Sequence, residues 1–229
     1  MRFIVTIGTL VLAAAWLVGR RQLQSERDYA KKRPPNGPLS GKRVAILATD
    51  GFEQVELTTP REALERAGAK TVVVSPKSGA IQGFHHHDKA DKVPVDMALA
   101  DAEVEAFDAL LLPGGALNPD ALRADARAVA FVKAMSNAGK PIAAICHGPW
   151  TLAEADVIQG KKMTSWGSIK SDLRNAGAEW VDEAVVADGN LVTSRSPADL
   201  PVFDAKILEV FAQADRRATR PTQSPIVRA

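Results

Sequence analysis

From Lys42 onward, short apolar runs alternate with longer stretches in which apolar residues recur every three or four positions. Runs of the first kind are Arg43 to Ala48, Thr71 to Ser75, Ala109 to Leu112 and Ile142 to Ile145. Each is bounded by Gly, Pro or polar residues, and together they predict buried strands. The longer stretches predict helices over about Gln54 to Ala67, Ala124 to Asn137, a segment starting just after Cys146, and Ala198 to about Ala214. Gly68 stands where the first of these needs a C-cap. Ala184 to Ala187 and Leu191 to Thr193 flank Asp188-Gly189-Asn190 and predict a hairpin. Apolar strands interleaved with helices of about ten residues or more mean βαβ units. The predicted fold class is therefore α/β, a doubly wound, mostly parallel sheet with helices on both faces.

The first forty residues follow a different pattern. Phe3 to Val18 is an uncharged, mostly apolar run, which as a helix would span about 24 Å, against roughly 30 Å for a hydrocarbon core. A membrane anchor, a signal peptide and a misassigned start all fit it. Arg20 and Arg21 follow directly, where a signal peptide needs a polar cleavage region. Arg27, Lys31, Lys32 and Arg33 lie close behind, whereas only Arg2 and the amino terminus precede the run. The positive-inside rule then expects a cytoplasmic domain tethered to the inner membrane through residues 3–18, with export as the alternative. Arg33-Pro34-Pro35-Asn36-Gly37-Pro38 reads as a linker. The expected organisation is an anchor or signal over 1–20, a basic Pro-rich linker over 21–41, a catalytic domain over 42–214 and a disordered tail over 215–229.

Composition narrows the function. The chain is 46% hydrophobic and 24% charged, as a globular domain with a real core requires, and its net charge of +2 argues against a nucleic-acid partner. Cys146 is the single cysteine, so no disulfide forms within one chain.

In an open α/β sheet, ligands bind beyond the carboxyl ends of the strands. Asp50 to Glu56, Pro113-Gly114-Gly115 and Cys146-His147-Gly148-Pro149 all fall there. Cys146 on a strand-to-helix turn is placed as a nucleophile, and the following helix would favour its thiolate. Taken alone, a lone cysteine is equally a small buried hydrophobe. Glu53 could lie beside the sulfur and exchange a proton with it, or be a first-turn carboxylate favoured by the helix dipole. Glu56 has the same alternatives and a weaker case. Gly114 and Gly115 allow a tight turn whose free N–H could bind an oxyanion. His147 could act as a base, orient another group or cap the helix. His85, His86 and His87 are consecutive, without face-matched spacing or a second ligand set, so no metal site is expected.

Blocks of sequence carry a more specific signal: D-G-F-E-Q-V-E-L at 50–57, L-P-G-G at 112–115, A-I-C-H-G-P at 144–149, T-S-W at 164–166, N-A-G-A-E-W-V-D at 175–182 and S-R-S-P-A-D-L at 194–200. In this order they resemble PfpI-type proteins, which include intracellular proteases, glutathione-independent glyoxalases and deglycases, over about Arg43 to Phe211. The resemblance implies a flavodoxin-like fold shared with class I glutamine amidotransferases. It implies Cys146 as nucleophile, with His147 adjacent and Glu53 hydrogen-bonded to the sulfur. The N–H groups of Gly115 and His147 would bind the oxyanion. Asp120 would reach the histidine of a neighbouring subunit, in a homodimer or higher homo-oligomer. Glutaminase chemistry is disfavoured because no histidine follows His147. The expected substrates are small carbonyls such as methylglyoxal, or glycated adducts, with no cofactor. The alternatives are a peptidase or amidase built on Cys146, His147 and Asp120, and a redox-sensing or holdase protein.

Overall fold

The computed structural model describes residues 36–218, with side chains to residue 213. The apolar run at 3–18, most of the basic linker and residues 219–229 of the expected tail lie outside the described residues. Among the described residues no helix is long and apolar enough to cross a membrane.

In chain order the strands are β1 (Arg43–Leu47), β2 (Phe52–Glu53), β3 (Lys70–Ser75), β4 (Ala80–His85), β5 (Asp88–Pro94), β6 (Met97–Ala98), β7 (Ala109–Leu112), β8 (Ile142–Ile145), β9 (Lys162–Met163), β10 (Glu179–Trp180), β11 (Val185–Asp188) and β12 (Leu191–Ser194). The α-helices are α1 (Gln54–Arg66), α2 (Leu117–Ala124), α3 (Ala126–Asn137), α4 (Pro149–Glu154), α5 (Lys170–Asn175) and α6 (Leu200–Ala218). The main sheet is seven-stranded, in the order β11-β12-β8-β7-β1-β3-β6. Its strands run parallel except β11, the expected hairpin partner of β12. From β1 the chain goes to β3 on one side, then returns to β7 on the other, so the sheet changes direction between β1 and β7. A crevice at the carboxyl ends of the strands opens at such a point.

Alternation along the strands explains why both faces are covered. Ala45, Leu47, Leu110 and Leu112 point into a core with Val132 and Met135 of α3 and Leu152 of α4. Val44, Ile46, Ala109 and Leu111 point into a second core with Leu57 and Leu64 of α1 and Phe203 and Ile207 of α6. Apolar residues on both faces are the signature of a parallel sheet buried between helices. Leu39, from the expected linker, is fully buried in the second core, and its N–H donates to Ala67 O at 2.9 Å.

Several elements differ from expectation. The helix expected over Ala124 to Asn137 is present as α3, and an unexpected helix, α2, precedes it; Asp125 separates the two and caps α3 by accepting from the N–H groups of Arg127 and Ala128. The final helix passes its expected end at Ala214 and runs to Ala218. The β4–β5 hairpin has no hydrophobic signature, since only Val93 of β5 is buried. Its pairing, including β2 with β4, makes a separate three-stranded sheet beside the crevice.

Candidate active site

The site begins with a strained turn. Cys146 follows β8 directly and takes φ 62, a left-handed conformation uncommon outside glycine. Its N–H donates to Ser194 O at 3.0 Å, and its own carbonyl accepts from Trp166 N–H at 2.9 Å. Gly148 N–H folds back onto Ile145 O at 2.8 Å, and Pro149 then opens α4. The turn presents Sγ to the crevice while leaving Cys146 only 7% exposed.

The β7 turn makes the opposite wall, and its glycines are required there. A Cβ on Gly114 would lie 2.6 Å from both Cys146 Cβ and Glu56 Oε2, and one on Gly115, at φ +75, would lie 2.3 Å from Gly51 O. Without side chains this backbone passes between the first turn of α1 and the cysteine. The N–H groups of Gly115 and His147, the expected oxyanion donors, both hydrogen-bond to the sulfur. Asn118 locks the wall in place. It is fully buried, accepts from Thr49 N–H at 2.7 Å and donates to Pro113 O at 2.9 Å and Gly114 O at 3.2 Å. An Asn-Pro pair in sequence reads as a turn, so its bracing role was not apparent from residue type.

The carboxyl that meets the thiol belongs to Glu56, where sequence reading had set Glu53. Glu56 is fully buried, and its Oε2 accepts Gly114 N–H at 2.8 Å. Its Oε1 has no hydrogen-bond partner of normal geometry, and the Cys146 thiol and the Gly115 N–H lie beside the carboxyl. The reason lies in helix geometry. Glu53 precedes α1 and pairs in β2, so its side chain turns toward the β4–β5 hairpin. There it accepts His86 N–H at 3.0 Å, with the Nδ1 atoms of His86 and His85 at 3.5 and 4.0 Å. Glu56 shares the inward face of α1 with Leu57, Pro60, Ala63 and Leu64. A carboxyl on the apolar face of an amphipathic helix, at the end nearest the cysteine, was the available signal.

Burial sets the proton inventory. It pushes the Glu56 carboxyl up to about 8. It also raises the Cys146 thiol, with the nearby Glu56 charge adding to the effect and the Gly115 and His147 amides opposing it. Burial thus opposes the expected bias toward a thiolate, and α4, a six-residue helix, is short against that desolvation. It favours the protonated form of both groups.

His147 completes the site. Nδ1 lies 3.2 Å from Sγ, and burial depresses the imidazole's basicity, keeping it neutral and able to accept a proton. A cavity of about 390 Å³ opens over the sulfur, and its lining includes Glu53, Glu56, His86, His87, His147 and Trp166. Asp120 does not join them. Within one chain it lines a separate cavity of about 570 Å³ with Lys77, Lys89 and Lys92. Among the described residues no group of His, Cys, Asp and Glu is arranged to hold a metal ion.

This strained cysteine turn, at the switch point of a doubly wound sheet, defines a cysteine-centred α/β protein. Residues 42–210 match the model of the DJ-1/PfpI family, and the chain belongs to that family. It is 43% identical to protein/nucleic acid deglycase 2 of Escherichia coli, over 74% of this chain and 98% of that protein. It is 46% identical to a deglycase of Thermococcus kodakarensis, over 69% and 92%. A Bacillus subtilis protein provisionally named a cysteine protease is 44% identical, over 74% and 98%. Among solved structures, Drosophila melanogaster DJ-1beta superposes with TM-score 0.67 at 29% identity, covering 79% of this chain and 98% of that one. A two-domain protein of Anabaena variabilis, with DJ-1/ThiJ/PfpI-like and ferritin-like domains, gives TM-score 0.69 at 38% identity. The match covers 73% of this chain and 47% of that larger protein.

Proposed function

We propose that the chain is a glyoxalase- or deglycase-type enzyme that uses Cys146 to process reactive carbonyls or their adducts. The observation that carries this reading is the fully buried Glu56 carboxyl beside a thiol that also receives two backbone N–H groups. An aldehyde entering the cavity would be attacked by Sγ as the thiol proton passes to His147 Nδ1. Glu56 would give its proton to the aldehyde oxygen, leaving a hemithioacetal. The ionised Glu56 would then take the hydrogen from that carbon and return it to the neighbouring carbonyl carbon, as the hydroxyl proton moves to the second oxygen. The product is the thioester of a 2-hydroxy acid. Water would hydrolyse it, the His147 proton returning to the sulfur and a proton from the attacking water to Glu56, which releases the acid and restores the resting site. The relatives named as deglycases support a substrate range that includes glycated groups.

The experiment is lactate formation from methylglyoxal without glutathione, comparing wild type with Cys146→Ala. Turnover that depends on the thiol supports the reading, and a folded but inactive wild type refutes it.

The 3.2 Å contact between Sγ and His147 Nδ1 favours a second reading, a cysteine peptidase or amidase. That reading requires Asp120 from a neighbouring subunit, and hydrolysis of fluorogenic peptides tests it. A homodimer or larger homo-oligomer, and tethering through residues 3–18, belong to the proposal. Sedimentation and membrane fractionation of the full chain test them.

A further inference from the structure

The steps above leave one contact of the site unused. Cys146 Sγ meets His147 at Nδ1, 3.2 Å away, while the other ring nitrogen, Nε2, lies 3.3 Å from Ser168 Oγ. We propose that Ser168 is a positioning residue that fixes the tautomer of His147, completing a Cys146–His147–Ser168 relay within a single chain. The proposal rests on the reading of Cys146 as nucleophile.

A neutral imidazole has one N–H and one lone pair, and the partner of each nitrogen decides which is which. A thiol hydrogen donated across the 3.2 Å contact needs a lone pair on Nδ1, and that is the arrangement the proposal assigns. With Nδ1 accepting, Nε2 carries the hydrogen, and Ser168 Oγ, 3.3 Å away, is placed to accept it. In this tautomer Nδ1 is ready to take the thiol proton. In the other, Nδ1 would carry a hydrogen and could accept nothing from Sγ.

Ser168 is held in place through the cysteine itself. It lies in the 3-10 turn Gly167–Ile169, and the preceding residue, Trp166, donates its N–H to Cys146 O at 2.9 Å. Ile169, fully buried, anchors the turn from the far side. The imidazole also has restricted room to rotate. Trp166 stacks on it at 6.1 Å between ring centroids, and Trp150 flanks it at 5.3 Å. Within a single chain this hydroxyl is the group against Nε2, while Asp120 lines a different cavity.

The test is the imidazole ¹⁵N spectrum of His147 in the full chain, recorded for wild type, Ser168→Ala, Ser168→Thr and Asp120→Asn, with methylglyoxal turnover in parallel. The expected wild-type form is the Nε2–H tautomer. Ser168→Ala is expected to shift the ring toward a tautomer mixture and to lower kcat about two- to tenfold with KM unchanged, the effect of one neutral hydrogen bond. Ser168→Thr should restore both signals, and Asp120→Asn should leave the ring tautomer unchanged. A wild-type Nδ1–H tautomer overturns the proposal, as does an unaltered ring in Ser168→Ala or a tautomer change caused by Asp120→Asn. If the tautomer responds as expected but wild type turns over no carbonyl substrate, the positioning role stands and the carbonyl-enzyme reading falls.

Discussion

Glu56 and Cys146 meet over the Cα of Gly114, a point 2.6 Å from both once extended by a single carbon. The missing side chain is what allows a buried acid and a buried thiol to share one small space. Gly114→Ala should therefore act on the site directly. Its methyl group would overpack against the cysteine and the carboxyl, costing about 1–3 kcal/mol. Denaturant unfolding should show that loss. Thiol-dependent turnover should fall more than the stability change accounts for, because the acid and the sulfur are forced apart.

Glu56 also ties stability to pH. Its folded-state carboxyl is raised to about 8 from an ordinary value of 4.5. The folded protein thus binds the proton more tightly than the unfolded chain. The stabilisation is complete below the unfolded value and is lost as pH rises through the folded one. Glu56→Gln removes the titration. Unfolding free energies measured between about pH 5 and pH 9 should fall for wild type relative to Glu56→Gln, by a few kcal/mol. Parallel curves would show that Glu56 is ionised in the folded protein.

Asn118 braces the wall that carries Gly114. Replacing it by Ala would strip the partner from Thr49 N–H in a fully buried position. A loss of about 1–3 kcal/mol is expected in denaturant unfolding. Turnover should fall in the variant even where it remains folded, because the Gly114 carbonyl loses its anchor as well.

Trp166 lines the cavity, stacks on His147 and is 45% exposed. Trp166→Ala should leave global stability nearly unchanged while raising KM for substrates larger than methylglyoxal. The measurement is steady-state kinetics on a series of dicarbonyls of increasing size. An equal effect across the series would mean that Trp166 acts only through the histidine.

The strands, the order of elements and the place of the cysteine were legible because burial on both faces leaves uninterrupted apolar runs such as Ala109 to Leu112 and Ile142 to Ile145. The β4–β5 hairpin was not, because Asp88–Pro94 is held by pairing rather than by a buried face. Within the site, Cys146, His147 and Gly115 were legible from their position on turns after strands. The partner carboxyl was misplaced by one helical turn. Glu53 and Glu56 look alike as first-turn acids, and only the apolar face set by Leu57, Pro60 and Leu64 separates them. Asp120 was placed by resemblance to act across subunits, and within one chain it lies in another cavity. Ser168 gave no signal at all, since its contact depends on how the Trp166 segment folds over the elbow.

The most direct measurement is carbonyl turnover by Glu56→Gln and Glu53→Gln, side by side with wild type and Cys146→Ala. Loss of a general acid–base group costs on the order of 10²–10⁴ in rate. Glu56→Gln should lose activity on that scale and approach Cys146→Ala. Glu53→Gln, whose carboxylate holds the histidine turn rather than the sulfur, should stay within about tenfold of wild type. The reverse order, with Glu53→Gln inactive and Glu56→Gln near wild type, would contradict the assignment of Glu56 as the acid partner of Cys146.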